Sequence, residues 1–373
     1  MPKNFDYWKK QHDSEELKEF NTDKQGTLWL KVKSIVRREY LNQFTGANDI
    51  ELESTRLNPQ FKELYDKLAE NTEKSHELLN DFIASQNDTE LEALDTDNLV
   101  QELYKVQTFK WGADNQNDLG KYLVKKYIKD NSSYDYLKAQ MKKGVLDTVS
   151  DYLECSWYNH WSSILIEHIF KSHEVVLPTV GQIKSVDFFM NEIPFDLKVT
   201  YLPANFIEAE RRKAKLPVAE LTALKQAARK AKINFNKDDS DLYYSLTERL
   251  NDKGGDAAQA VDDIRNFRLQ LIDKVKDDPL LLAKNLYENQ SDFRFGAENR
   301  IFLILIDRTD FDQSWKLKRN VDLLQPAIHK YLDSFANKSS DDLKLEFYKK
   351  GDSAKYPKKY EVLTDVIIAE KDN

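Results

Sequence analysis

Two aspartates and one lysine lie inside the most strand-like stretch of this chain, "VDFFMNEIPFDLKVTYLP", at residues 186–203. The runs on either side of Asn191-Glu192 are rich in β-branched and aromatic residues, which is typical of strands. Asn tolerates the positive φ of a two-residue turn, so Asn191-Glu192 predicts a tight hairpin. Charged groups in neighbouring strands can hold a metal ion if the hairpin brings them together. The three residues are Asp187, Asp196 and Lys198.

The hairpin register decides which of these side chains meet. With a two-residue turn, Met190 pairs with Ile193, and Asp187 then lies directly opposite Asp196. Counted from the turn, this is a non-hydrogen-bonded pair, with Cα atoms about 4.5 Å apart. Pro194 fits the register, because its missing N–H would point away from the partner strand.

Strand alternation puts Asp196 and Lys198 on one face, while Leu197 and Val199 take the other. Two carboxylates directly opposite each other repel and destabilise a sheet. Lys198 supplies one compensating charge, and a hard divalent cation would supply the rest, since Mg²⁺ prefers one or two carboxylates plus waters and substrate phosphates. The alternative is a solvated hairpin whose polar face is acidic, although the flanking phenylalanines argue against a fully wet hairpin.

The order Asp187, short hairpin, then Asp196-Leu197-Lys198 resembles the PD-(D/E)xK signature of type II restriction endonucleases and their relatives. The later stretches "FRFGAENRIFLILIDRTD" and "SWKLKRN" are similar to the core strand and following helix of such enzymes. The resemblance covers residues 157–373. It departs from the full signature at Val186, where many members have proline.

The resemblance implies a role for each residue of the motif. Asp187 and Asp196 would ligate Mg²⁺, and the backbone carbonyl of Leu197 would be a further ligand. Lys198 would orient or activate the attacking water and stabilise the charge that develops on the phosphate. Phosphodiester hydrolysis needs this combination of a metal-activated water, a Lewis acid and a nearby cation.

Members of this family often add an acidic residue from the helix before the first strand. Glu167, in "SSILIEHIFK", is the candidate in this chain. The alternative is an ordinary surface ion pair with Lys171 at i,i+4 spacing. Both interpretations stay open from the sequence.

The function that the resemblance implies is a Mg²⁺-dependent, site-specific endonuclease that hydrolyses double-stranded DNA, that is, a restriction enzyme. Such enzymes often act as homodimers on symmetric sites. Two alternatives are a repair or junction-resolving nuclease of the same fold, and a catalytically inactive DNA-binding or assembly protein on that fold. A third is an acidic helical interaction protein with an incidental hairpin.

The elements around the motif predict an α/β fold with a restriction-endonuclease-like core, in which helices flank a mixed central sheet. Residues 1–150 read as a mainly helical N-terminal region, with a role in DNA recognition or dimerisation. Residues 151–373 read as the nuclease core, with a helical insertion at about 204–290. The clearest core elements are a buried strand at 299–307, a helix at 321–335 and a last strand at 359–370.

Charge is unevenly spread along the 373 residues, whose formal net charge is -8. Residues 46–100 hold 14 acidic and 4 basic residues, whereas residues 211–232 hold 8 basic residues and one acidic residue. The basic segment is either a solvated helix face or a contact for a DNA backbone, which would give affinity without reading sequence. The DNA-contact candidates are Arg211, Arg212, Lys213, Lys215, Arg229 and Lys230.

Several protein classes are disfavoured by what the sequence lacks. The apolar runs fall far short of the roughly 20 residues of a membrane span, and the N-terminus has no secretory signal. Cys155 is the only cysteine, which excludes an intrachain disulfide and a cysteine zinc site, and a cytoplasmic setting is expected. No GxxxxGK[ST] loop is present, so the chain is not an ATP-driven helicase or translocase.

Overall fold

The six strands form one mixed sheet in a computed structural model of the chain, which describes residues 3–35, 37–108, 119–129, 133–236, 242–291 and 295–372. The strand order is β1-β2-β3-β4-β6-β5. β1, β2 and β3 pair antiparallel, β3, β4 and β6 pair parallel, and β5 pairs antiparallel with β6. The strands are β1 Leu177–Ile183, β2 Val186–Met190, β3 Ile193–Tyr201, β4 Arg300–Asp307, β5 Lys344–Tyr348 and β6 Lys359–Lys371.

The helices before the sheet and those between β3 and β4 occupy the regions predicted to be helical. The first set is α1 Phe5–Asp13, α2 Lys24–Ser34, α3 Arg38–Ala47, α4 Leu57–Ala69, α5 Thr72–Ala93, α6 Thr96–Tyr104, α7 Leu119–Val124, α8 Tyr134–Met141 and α9 Gly144–Lys171. The second is α10 Ala204–Lys213, α11 Glu220–Lys230, α12 Leu242–Lys253, α13 Asp256–Asp277 and α14 Pro279–Glu288. The last are α15 Val321–Phe335 and α16 Ser340–Leu343. None of the helices in the described ranges combines the length and apolar character that crossing a bilayer requires.

Helices cover both faces of the sheet. On one face, α9 and α15 pack on alternate residues of β3, β4 and β6, including Leu197, Ile301 and Ile367. On the other face, α10, α13 and α14 pack on residues such as Phe302 and Ile304. The nearly continuous apolar run of β4 is explained by this burial on both faces, since all its residues are buried. The mixed α/β class and the sheet flanked by helices are thereby confirmed.

The N-terminal helices share a core with the sheet. Phe20, Trp29 and Leu64 lie in one apolar cluster with Val186 and Phe189 of β2. In addition, α9 begins at Gly144 and runs without a break across residue 150, where the sequence had suggested a boundary. Packing against β1 and β2 therefore joins the helices α1 to α5 to the hairpin that carries the aspartates.

Candidate active site

The turn of the hairpin has the predicted geometry. Asn191 and Glu192 have φ values of 48° and 66°, the left-handed conformation that a type I′ turn needs at both central residues. Three cross-strand pairs follow in the predicted register: Met190 with Ile193, Phe189 with Pro194, and Phe188 with Phe195. The fourth predicted pair, Asp187 with Asp196, is not formed, and these two residues lie just past the end of the β2–β3 ladder.

At that point β3 passes from one partner strand to the other. The N–H of Asp196 donates to the carbonyl of Asn299 at 2.9 Å, and Asp196 is the first residue of β3 in register with β4, opposite Arg300. The N–H of Leu197 points the other way and donates to Asp187 Oδ2 at 2.7 Å. Where the regular pairing of β3 with β2 stops, the Leu197 N–H therefore bonds the Asp187 side chain instead of a backbone carbonyl of β2.

Asp196 is buried between two cations. Lys198 Nζ donates to its Oδ1 at 2.7 Å, which confirms that Asp196 and Lys198 share a face of β3. Arg300 Nε donates to its Oδ2 at 3.2 Å. Both carboxylate oxygens of Asp196 consequently have a positively charged partner.

Asp187 is half-buried and is less well compensated. Burial raises its pKa first, the neighbouring charge of Asp196 raises it further, and Glu167 adds a smaller push in the same direction. The Leu197 N–H and the charge of Lys198 oppose these effects but do not cancel them, so the pKa of Asp187 stands at about 6. Ionisation of this group near neutral pH leaves negative charge that the protein does not neutralise.

Glu167 lies on α9 within electrostatic reach of Asp187 and Lys198. Burial raises its pKa, while Lys171 and Lys198 act to lower it. Its carboxylate is also 3.9 Å from Lys171 Nζ, the i,i+4 contact that was the alternative interpretation. The contact with Lys171 is therefore present, while the active-site role of Glu167 stays a prediction, with its small effect on the pKa of Asp187 as support.

Arg300 is the residue of this site that sequence reasoning missed. It is buried, and besides Asp196 it donates to Gln290 Oε1 and to Glu298 Oε2, each at 2.8 Å. Its guanidinium carbon lies 5.2 Å from the centre of the Tyr287 ring. The available signal was a charged residue at the start of an otherwise apolar strand, although the parallel register that places it beside Asp196 cannot be read from local pattern.

The support of Arg300 depends on a close approach at Gly296. A Cβ atom at this position would clash with the carboxylate of Glu298. Glu298 in turn accepts from Ser185 Oγ at 2.9 Å, so the turn between β1 and β2 is tied to the same cluster. The absence of a side chain at Gly296 therefore leaves room for the Glu298 carboxylate, which accepts from Arg300.

The basic candidates divide into buried and exposed members. Arg211 is 3% exposed, its Nε donates to the carbonyl of Pro217 at 2.8 Å, and its guanidinium lies over the Phe267 ring. This side chain holds α10 against its neighbours, so it is not available to a DNA backbone. The other five candidates are exposed: Arg212, Lys213, Lys215, Arg229 and Lys230.

The exposed end of α10 lies within electrostatic reach of the end of α14. The charge of Lys213 acts on Glu288 near the end of α14, and Glu288 precedes Gln290 by two residues. Gln290 is the residue that accepts from Arg300.

No protein-family model, curated protein or solved structure matches this chain. What the site can do thus rests on its own chemistry. The site holds the carboxylates of Asp187 and Asp196 and the half-exposed ammonium of Lys198. The backbone N–H of Leu197 is already bonded to Asp187. Such a set suits a divalent cation that also keeps waters and phosphate oxygens.

The donor set also bears on which kind of metal site is feasible. Within the described ranges, no three His, Cys, Asp or Glu side chains converge as a complete cage. A zinc or calcium cage needs at least that many protein ligands, whereas Mg²⁺ is commonly held by one or two carboxylates. The residues present therefore fit Mg²⁺ shared with a substrate phosphate and do not fit a closed structural metal site.

Proposed function

We propose that this protein is a Mg²⁺-dependent nuclease that hydrolyses phosphodiester bonds in double-stranded DNA, with a restriction-endonuclease-like core. The observation that carries the proposal is Asp187. It is half-buried beside Asp196, shares a site with Lys198, and has a pKa raised to about 6 by burial and by the neighbouring carboxylate. A cation bound by both aspartates would remove the repulsion that the protein alone leaves in place.

Each side chain has a distinct task under this proposal. Asp187, Asp196 and the Leu197 carbonyl would hold Mg²⁺, which supplies a Lewis acid and an activated water. Lys198 offers its ammonium to the charge that develops on the phosphate. Glu167 adds negative charge at the edge of the site, and the exposed cations of α10 and α11 would grip the backbone of the duplex.

The test is cleavage of a mixed-sequence phage DNA with millimolar Mg²⁺, beside an EDTA control and the Asp196→Ala variant. Discrete bands that disappear in both controls are expected. The matched control is Asp365→Asn, since Asp365 is a buried aspartate on β6 that pairs with Lys338 and lies outside the site. This variant should cleave as the wild type does.

Other outcomes separate the alternative functions. A metal-dependent smear would keep the nuclease and remove site specificity, and preference for nicked or four-way DNA in a substrate panel would indicate a repair or junction-resolving enzyme. Binding of duplex DNA without cleavage, together with no Mg²⁺ or Ca²⁺ heat in calorimetry, would contradict the proposal in favour of a non-catalytic DNA-binding protein.

A further inference from the structure

The two cations that hold Asp196 differ in how firmly they are themselves held. Lys198 is 49% exposed and donates to Asp196 Oδ1. Arg300 is 9% exposed and is fixed by Asp196, Gln290 and Glu298 together, with the Tyr287 ring beneath it. Releasing Lys198 returns an ammonium to water, whereas releasing Arg300 would strand buried carboxylates.

We infer that Lys198 is a resident counter-ion of Asp196 that a divalent cation displaces, and that Arg300 is the positioning residue that stays. The inference rests on the proposed function and concerns regulation of that same site. A cation that takes up Asp196 Oδ1 must compete with Lys198 Nζ for this oxygen. Arg300 meanwhile keeps Oδ2 at a fixed place, so the carboxylate does not rotate when its other partner leaves.

The contrast between a displaceable Lys198 and a fixed Arg300 explains how Lys198 can act both before a metal ion binds (the resting site) and after it binds (the loaded site). In the resting site, Lys198 offsets the charge of Asp196 and limits the repulsion felt by Asp187. Once displaced, the same ammonium is free, on a half-exposed side chain, to meet a phosphate. The incoming cation replaces the charge that Lys198 withdraws, so Asp196 keeps a positively charged partner throughout.

The inference is tested by titrating Ca²⁺ alone into the full-length protein by calorimetry, without DNA and without turnover. Lys198→Met should bind Ca²⁺ about two- to fivefold more tightly than the wild type, because the competing ion pair is half-exposed and of modest strength. Arg300→Lys keeps the charge but loses the three-way fork, so it should bind Ca²⁺ about fivefold more weakly or worse.

The matched control is Arg308→Lys, at the far end of β4, where Arg308 Nη1 lies 2.8 Å from Glu370. It should leave the Ca²⁺ affinity unchanged, and unfolding midpoints show that each variant is folded at the titration temperature. If Lys198→Met binds Ca²⁺ no more tightly than the wild type, Lys198 is not a displaceable counter-ion. If Arg300→Lys binds Ca²⁺ with wild-type affinity, Arg300 is not a positioning residue. If the heat of Ca²⁺ binding to the wild type is no larger than that to Asp196→Ala, both the proposed function and this inference are overturned.

Discussion

The β2–β3 hairpin carries a carboxylate at each end, and the protein treats the two in opposite ways. At the turn, Glu192 pairs with Lys31, receives a hydrogen bond from Asn80 at 3.2 Å and lies 3.1 Å from the imidazole of His76. Desolvation alone would raise the pKa of Glu192, but His76 and Lys31 outweigh it and hold the pKa at about 2. At the other end, Asp187 has a pKa of about 6.

The difference separates a carboxylate whose charge is balanced by buried cations from one whose charge is only partly balanced. Lys31 is fully buried, and its ammonium contacts Glu192, His76 and Asn80, which attaches α2 and α5 to the tip of the hairpin. The turn end is thus internally neutralised. Negative charge left uncompensated in a half-buried place costs stability, and such costs concentrate at functional sites.

The largest effect on stability is expected at the turn. Glu192→Gln removes the counter-charge of buried Lys31. Because the Glu192 side chain is 48% exposed and water screens part of the loss, the free energy of unfolding should fall by about 1–2 kcal/mol. Urea unfolding at pH 7 measures the change. The double variant Lys31→Met, Glu192→Gln removes both charges and should recover most of the loss, since replacing both members of an ion pair is often nearly neutral. Equal losses in the single and double variants would show that the pair does not secure the hairpin.

An effect of opposite sign is expected at Asp187. Asp187→Asn keeps an acceptor for the Leu197 N–H and removes the repelling charge, so it should raise the free energy of unfolding by about 1 kcal/mol at pH 8. The folded pKa of about 6 lies above the ordinary aspartate value of 3.8, so the native state binds more protons than the unfolded state between these values. Stability of the wild type therefore falls as pH rises through this window.

The gain from Asp187→Asn should accordingly be complete above about pH 6 and should vanish below about pH 4. Glu192 behaves in reverse, because its folded pKa of about 2 lies below the ordinary glutamate value of 4.5. Its contribution is present above pH 4.5 and is lost as pH falls towards 2. Asp187→Asn that destabilises the protein at pH 8 would refute the view that this carboxylate is left uncompensated.

Local pattern predicted the hairpin well and its surroundings only in part. The turn residues, the register and the shared face of Asp196 and Lys198 follow from period-two alternation and turn chemistry, which act over a few residues. The register of β3 against β4 depends on packing between segments about 100 residues apart, so Arg300 could not be placed. β5 was missed because it is a short edge strand with every second residue exposed.

The same limit explains the mixed outcome for the basic segment. A run of cations predicts an exposed or polyanion-binding helix, yet the run does not show which member faces inwards. Arg211 is buried because it precedes the turn at Pro217, whose carbonyl it caps, while the next residue, Arg212, is exposed. The sequence alone gives no reason to expect Arg211 and Arg212 to differ in exposure.

The smallest effect is expected at Arg211 and Arg212. Here the comparison is between a buried and an exposed cation instead of between two carboxylates. Arg212→Gln should weaken duplex binding without metal by a few-fold and lower the slope of log affinity against log salt by about 1, as one phosphate contact is lost. Arg211→Gln should leave that slope unchanged and instead lower the unfolding midpoint, because the lost contacts with Pro217 and Phe267 are internal. Fluorescence anisotropy across a salt series measures the first quantity and thermal unfolding the second. If Arg211→Gln lowered the salt slope and Arg212→Gln did not, the assignment of one arginine to the fold and the other to DNA would be reversed.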